Sequence, residues 1–162
     1  MAYLETQSDF ELASRRHLTD ASELLEPPTS DASAPDASTR HLAGAMYLAG
    51  YAVECKLKEF LFKKFSLLVT PAPGASITLD DIRPHIDGAL GSHLKDLHSI
   101  PDLWSATELS GRDTTMTANA GTCAAWRVAW RYTPPGNRAR PDAEQLVNAA
   151  SDLVTWMASQ SP

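Results

Sequence analysis

Between Leu42 and Phe65 the chain reads LAGAMYLAGYAVECKLKEFLFKKF, and its first half, Leu42 to Val53, carries no charge. At 100° per residue, Leu42, Met46, Ala49, Val53, Leu57, Phe60 and Leu61 fall on one broad apolar arc, the period of a helix. A strand of this length would be abnormal, so the segment is predicted to be a helix. Each of Gly44 and Gly50 lowers helix stability by about 1 kcal/mol relative to alanine, a loss that close contact with a neighbouring helix offsets. The segment therefore reads as a rod enclosed by other rods.

Tyr47, Tyr51, Glu54 and Lys58 fall within a narrow angle on another side of the same helix and form a second stripe, aromatic and polar. Glu54 and Lys58 stand at i and i+4 in the favourable order, worth about 0.2–0.5 kcal/mol when exposed. Lys56, Lys58, Lys63 and Lys64 cluster towards the end of the helix, where the macrodipole favours cations without any ligand.

The rest of the chain divides around this rod. Ser8 to Glu26 is predicted as a first helix, opened by Ser8 with Glu11 in the reciprocal capping position and stopped by Pro27 and Pro28. Residues 27–37 read as a polar linker, with Ser38 or Thr39 capping the central helix, and a connection this short sets the two long helices antiparallel. After Phe65 a Pro71-Ala-Pro-Gly74 cluster ends the element. Thr78 to Ile86 holds a turn or short helix limited by Pro84, and Gly91 to His98 a short helix capped by Ser92. Residues 105–121, rich in Ser, Thr, Gly and Ala, read as a long, flexible loop. Thr122 to Tyr132 resumes helical spacing, with Trp126 and Trp130 on one side and Arg127 and Arg131 on the next. A final helix runs from Arg140 to about Ser159, with proline and acids in its first turn. No repeat and no alternation long enough for a sheet is present. The expected fold is a single all-α domain over residues 1–162, an up-and-down bundle whose two long N-terminal helices form an antiparallel hairpin, completed by shorter helices and an irregular loop.

Several functional classes are disfavoured by composition. A net charge of −6 argues against nucleic-acid binding by overall electrostatics, which leaves local patches such as Arg127, Arg131, Arg138 and Arg140. Two cysteines, Cys55 and Cys123, are too few for a disulfide scaffold. His93 and His98 lie five apart, on different helix faces, so a shared metal is not expected, and no cofactor is implied. The N-terminal MAYLETQSDFELASRR has neither a basic start with an apolar core nor a long uncharged run, which reads as a cytoplasmic chain with no membrane span.

The segment AGYAVECKLKEFL resembles the central helix of the HEPN domains, small helical bundles with an "AG-x-AvE-x-x-LK" segment. Gly91-Ser-His-Leu-Lys-Asp-Leu-His98 is similar to the "gHdL-x-x-L" turn of that family, with His93 in the histidine place, and Arg131-Tyr132 before the last helix resembles its "RYP"-like turn. The resemblance implies a helical bundle, and the uninterrupted apolar character of residues 42–53 with four tryptophans in a small chain makes a homodimer the expectation. The resemblance also implies a setting beside a nucleotidyltransferase-type partner, as in toxin and antitoxin pairs, and contact with a nucleotide or RNA. Catalytic members are metal-independent ribonucleases that carry an arginine followed four to six residues later by histidine, and no arginine of this chain is so followed. The reading is thus a non-catalytic binding module, with Arg127, Arg131, Tyr132, His93 and Lys58 as candidate phosphate-binding groups. Tyr47, Tyr51, Glu54 and Asp96 form a structural polar network, in which Arg131 paired with Glu54 or Asp96 is the alternative to Arg131 on a ligand. Two other readings stand beside it: a ribonuclease with a rearranged site, using His93 as acid/base and Arg131 on phosphate, and a helical interaction module with no ligand.

Overall fold

Helices α1 (Gln7–Leu25) and α2 (Pro35–Phe65) meet along their length with residue numbers running in opposite senses. The Phe10 ring lies 6.0 Å from Phe62, His17 lies 4.7 Å from Tyr51, and a Cβ built on Gly44 would stand 3.2 Å from Leu24 Cδ1. The pair is therefore the expected antiparallel hairpin. The computed structural model describes residues 6–26, 35–93, 96–131 and 139–162, with the side chains of 35–40 and of Arg131 outside that description. Its other helices are α3 (Leu79–Leu90), α4 (Ile100–Thr107), α5 (Thr114–Cys123) and α6 (Arg140–Ala158), with 3-10 turns at Ser66–Leu68 and Val128–Arg131 and no strand among the described residues.

α2 is the axis of the bundle. It contacts α1, α3, α4 and α6 and the second 3-10 turn, so its uncharged half is enclosed by one chain: Ala45, Met46, Ala49, Ala52 and Val53 are all buried. Ile82, Ile86, Ile100, Leu103, Leu109, Leu153 and Met157 close the core from the shorter helices. Burying a side chain of this size contributes about 1.5–3 kcal/mol, and this set outweighs any propensity within α2 itself. No helix among the described residues is long and apolar enough to cross a membrane. Cys55 and Cys123 are buried and not joined in a disulfide, and burial pushes the Cys123 thiol up to about 12.

Several local expectations are corrected. Thr6, not Ser8, caps α1: its hydroxyl accepts from Asp9 N at 3.4 Å while the Asp9 carboxylate accepts from Thr6 N at 2.9 Å. α2 begins at Pro35, inside the expected linker, rather than after Ser38 or Thr39; residues 27–34 lie outside the described residues. α3 runs through Pro84 to Leu90, where Gly91 at φ 64° ends it. Proline cannot donate the bond to the Asp80 carbonyl, but both residues are exposed, where that loss is tolerated. No helix forms over the described part of 91–98, because Asp96 Oδ1 accepts from His98 N at 2.8 Å in a tight turn and Ser99 caps the next helix.

The predicted loop over 105–121 is largely helical. α4 extends to Thr107, a short connection follows, and Asp113 opens α5 by accepting from Thr115 N at 2.8 Å and Met116 N at 3.0 Å. The helix expected over 122–132 stops instead at Cys123. The reason is Trp126, whose ring drops onto α2 at Gly50, where an added Cβ would lie 2.0 Å from Trp126 Cδ1. Its indole N–H donates to the Tyr47 carbonyl at 3.0 Å. Arg127 therefore precedes the 3-10 turn Val128–Arg131 and is not part of one helix with it.

Candidate functional site

The charged end of the α2 stripe is buried, and its tyrosines, Tyr47 and Tyr51, are partly buried. Glu54 is completely inaccessible, Lys58 is 3% exposed, and Lys58 Nζ donates to Glu54 Oε1 at 2.6 Å. An ionised carboxylate removed from water is tolerated only when paired at close range. Here the i,i+4 lysine is one partner, and His98 Nδ1, 2.8 Å from the same oxygen, is the other. The second carboxylate oxygen, Oε2, is buried with no hydrogen-bond partner among the described residues. Lys58 Nζ also sits over the Phe10 ring, 5.5 Å from its centroid.

His98 reaches Glu54 because the Asp96 turn bends the chain between α3 and α4 back over α2. Its side chain is about half exposed (47%), so one edge of the ring is clamped by Glu54 and the other is open. The hydrogen bond that Glu54 accepts from His98 raises the His98 pKa, partial burial and Lys58 work against this, and the charges of Glu54 and Asp96 add to the rise. With Nδ1 engaged, Nε2 is the ring nitrogen left to meet a ligand.

His98 lines a cleft of about 470 Å³ together with Asp96, Ser99, Asp102, Trp126 and Arg127. Arg127 is exposed and uses one terminal nitrogen, Nη1, to hold the carbonyls of Ala124 and Trp126, each at 2.7 Å. That anchors the guanidinium at the rim and leaves its remaining N–H groups for the cleft. A volume of this size is in the range of small-molecule sites. Beneath it Trp126 is only 2% exposed, and its ring stacks on Tyr51 at 6.3 Å and leans on Tyr47 at 5.9 Å.

The predicted site residues are therefore divided. Arg127 and Asp96 line the cleft; Tyr47, Tyr51 and Glu54 form its support through Trp126 and His98. Lys58 is corrected from a phosphate-binding group to a buried partner of Glu54, since its ammonium is sealed beneath the ring of Phe10. His93 is exposed, its Nδ1 lies 2.9 Å from Asp87, and it stands apart from the residues that line the cleft. Among the described residues Glu54 pairs with Lys58 and His98. The Arg131 side chain and Tyr132 lie outside the described residues. His98 was missed by sequence reasoning, because its partner is 44 positions away and only the turn at Asp96 brings the two together. The available signal was Glu54 itself, a carboxylate in the middle of a rod that had to be buried.

Comparison of the chain with protein-family models, with curated proteins and with solved structures returns no match.

Proposed function

We propose that the chain is a HEPN-like, non-catalytic binding module whose His98–Arg127 cleft takes a nucleotide or a nucleotide unit of RNA. The observation that carries the reading is the convergence of two cationic donors, a half-exposed imidazole with a raised pKa and an anchored guanidinium, on one cleft. Phosphate favours such a donor pair. Asp96 and Asp102 on the same walls supply acceptors for sugar hydroxyls or base amino groups, which favours a nucleotide over bare phosphate. A setting beside a nucleotidyltransferase-type partner, as in a toxin and antitoxin pair, follows from the same resemblance and belongs to the same proposal. Calorimetric titration with the four nucleoside monophosphates tests it. Binding should occur in the parent and fall at least about tenfold, about 1.4 kcal/mol, in Arg127→Ala and in His98→Ala. Absence of binding by all four would overturn the reading.

A second reading is favoured by one specific observation, the Glu54–His98 pair. A carboxylate that fixes an imidazole by Nδ1 leaves Nε2 as a general base, which could take the proton of a ribose 2′-hydroxyl as that oxygen attacks the adjoining phosphorus and the 5′-oxygen leaves. In this reading His98 replaces His93 as the acid/base of a rearranged ribonuclease. RNA incubated with the protein in chelator would then yield 2′,3′-cyclic phosphate ends, and intact RNA at high protein concentration eliminates it.

A further inference from the structure

A second groove, also of about 470 Å³, lies between α1, α2 and α6. Its floor is formed by Ser14 and Lys56, its apolar walls by Leu18, Val154 and Ala158, and its rim by Arg15. Ser14 is 1% exposed, and its hydroxyl has no hydrogen-bond partner among the described residues. The contrast with its own helix is informative: Thr19 and Ser22 return their hydroxyls to the carbonyls four residues back, at 3.1 and 3.0 Å, and Ser14 does not. A buried hydroxyl left unpaired costs about 1–3 kcal/mol.

Lys56 is 8% exposed and makes one ion pair, at 2.8 Å to Glu59 Oε2, which leaves two of its three donors unengaged among the described residues. Glu59, itself buried, also holds Lys63, so two cations share one carboxylate and the floor carries an excess positive charge. At the rim Glu11 is neutralised by Arg15 at 2.5 Å. A buried cation with free donors, an unpaired hydroxyl beside it and aliphatic walls above form the complement of one kind of molecule. We propose that this groove binds a small monocarboxylate with an apolar body, its carboxylate meeting Lys56 and Ser14 and its tail lying against Leu18, Val154 and Ala158. The proposal is independent of the nucleotide reading.

Titration of octanoate into the full chain, followed by amide chemical shifts and calorimetry, tests it, with 1-octanol as the same tail without the charge. Octanoate should bind saturably and about tenfold tighter than octanol, the equivalent of about 1.4 kcal/mol. Ser14→Ala should weaken octanoate several-fold while leaving the unfolding midpoint unchanged or higher, a combination that a purely structural serine would not give. Ala158→Phe, at an exposed wall position, should fill the groove and abolish binding without disturbing the core. Octanoate that does not saturate, that binds no better than octanol, or that binds equally to Ala158→Phe overturns the proposal.

Discussion

A carboxylate buried as completely as that of Glu54 must be neutralised at close range, and the two groups that do so differ in kind. Lys58 is buried and comes from the same helix; His98 is half exposed and comes from 44 positions away. Because the folded His98 pKa is raised, the stabilisation from this contact is fully present below the unfolded value near 6.5 and is lost as pH rises through the folded value. Glu54→Gln should keep the shape, abolish the charge and bring the His98 pKa down, which an imidazole proton titration by NMR will show as a shift to lower pH. Glu54→Ala should be worse for the fold, at about 3–5 kcal/mol, since Lys58 would be left buried and unpaired. The role of Glu54 was legible only as far as its helical phase. A carboxylate on the stripe next to the apolar arc is compatible with exposure, and the half-local, half-distant pairing that buries it follows from the turn at Asp96.

At the scale of elements, the junction of α2 with the segment after α5 sets the cleft. Gly50 is required there by contact, not by conformation: the indole of Trp126 occupies the space of its side chain. Gly50→Ala would gain about 1 kcal/mol of helix propensity, yet the overlap should dominate and destabilise the chain by about 1–3 kcal/mol. Chemical denaturation should reveal the loss, and a shifted tryptophan emission should accompany it as Trp126 leaves its seat. α2 could be read from sequence because its apolar period is long and unbroken. α5 could not, because its ten residues bury only Ala120 and Cys123 and leave almost no periodic signal. Asp113 was its one visible mark. The turn at residues 124–127 was hidden for a different reason: Trp126 and Trp130 have helical spacing, and only the cavity offered by Gly50 explains why the backbone departs from it.

On the whole-molecule scale, the apolar half of α2 that suggested self-association is used inside one chain. The large apolar side chains left exposed among the described residues are Leu12, at 50%, and the adjacent Leu67 and Leu68, at 89% and 63%. Homodimerisation therefore enters as a proposal centred on the step after α2 rather than on α2 itself. Light scattering should give a dimer mass for the parent and a single-chain mass for the Leu67→Ser/Leu68→Ser double variant; a parent already at single-chain mass rules self-association out. The two clefts lie on different parts of the bundle's helix set, one against α4 and the turn after α5, the other between α1 and α6. α2 contributes to both, through Glu54 behind His98 in the first and through Lys56 in the second.

The two sulfhydryls have a practical meaning. Both are sealed in the interior, and Cys123 is a weaker acid than an ordinary thiol, so an alkylating reagent meets a reactive sulfur only in molecules that have come apart. The chain thus carries a built-in clock for its own opening, readable in the rate at which mass is added.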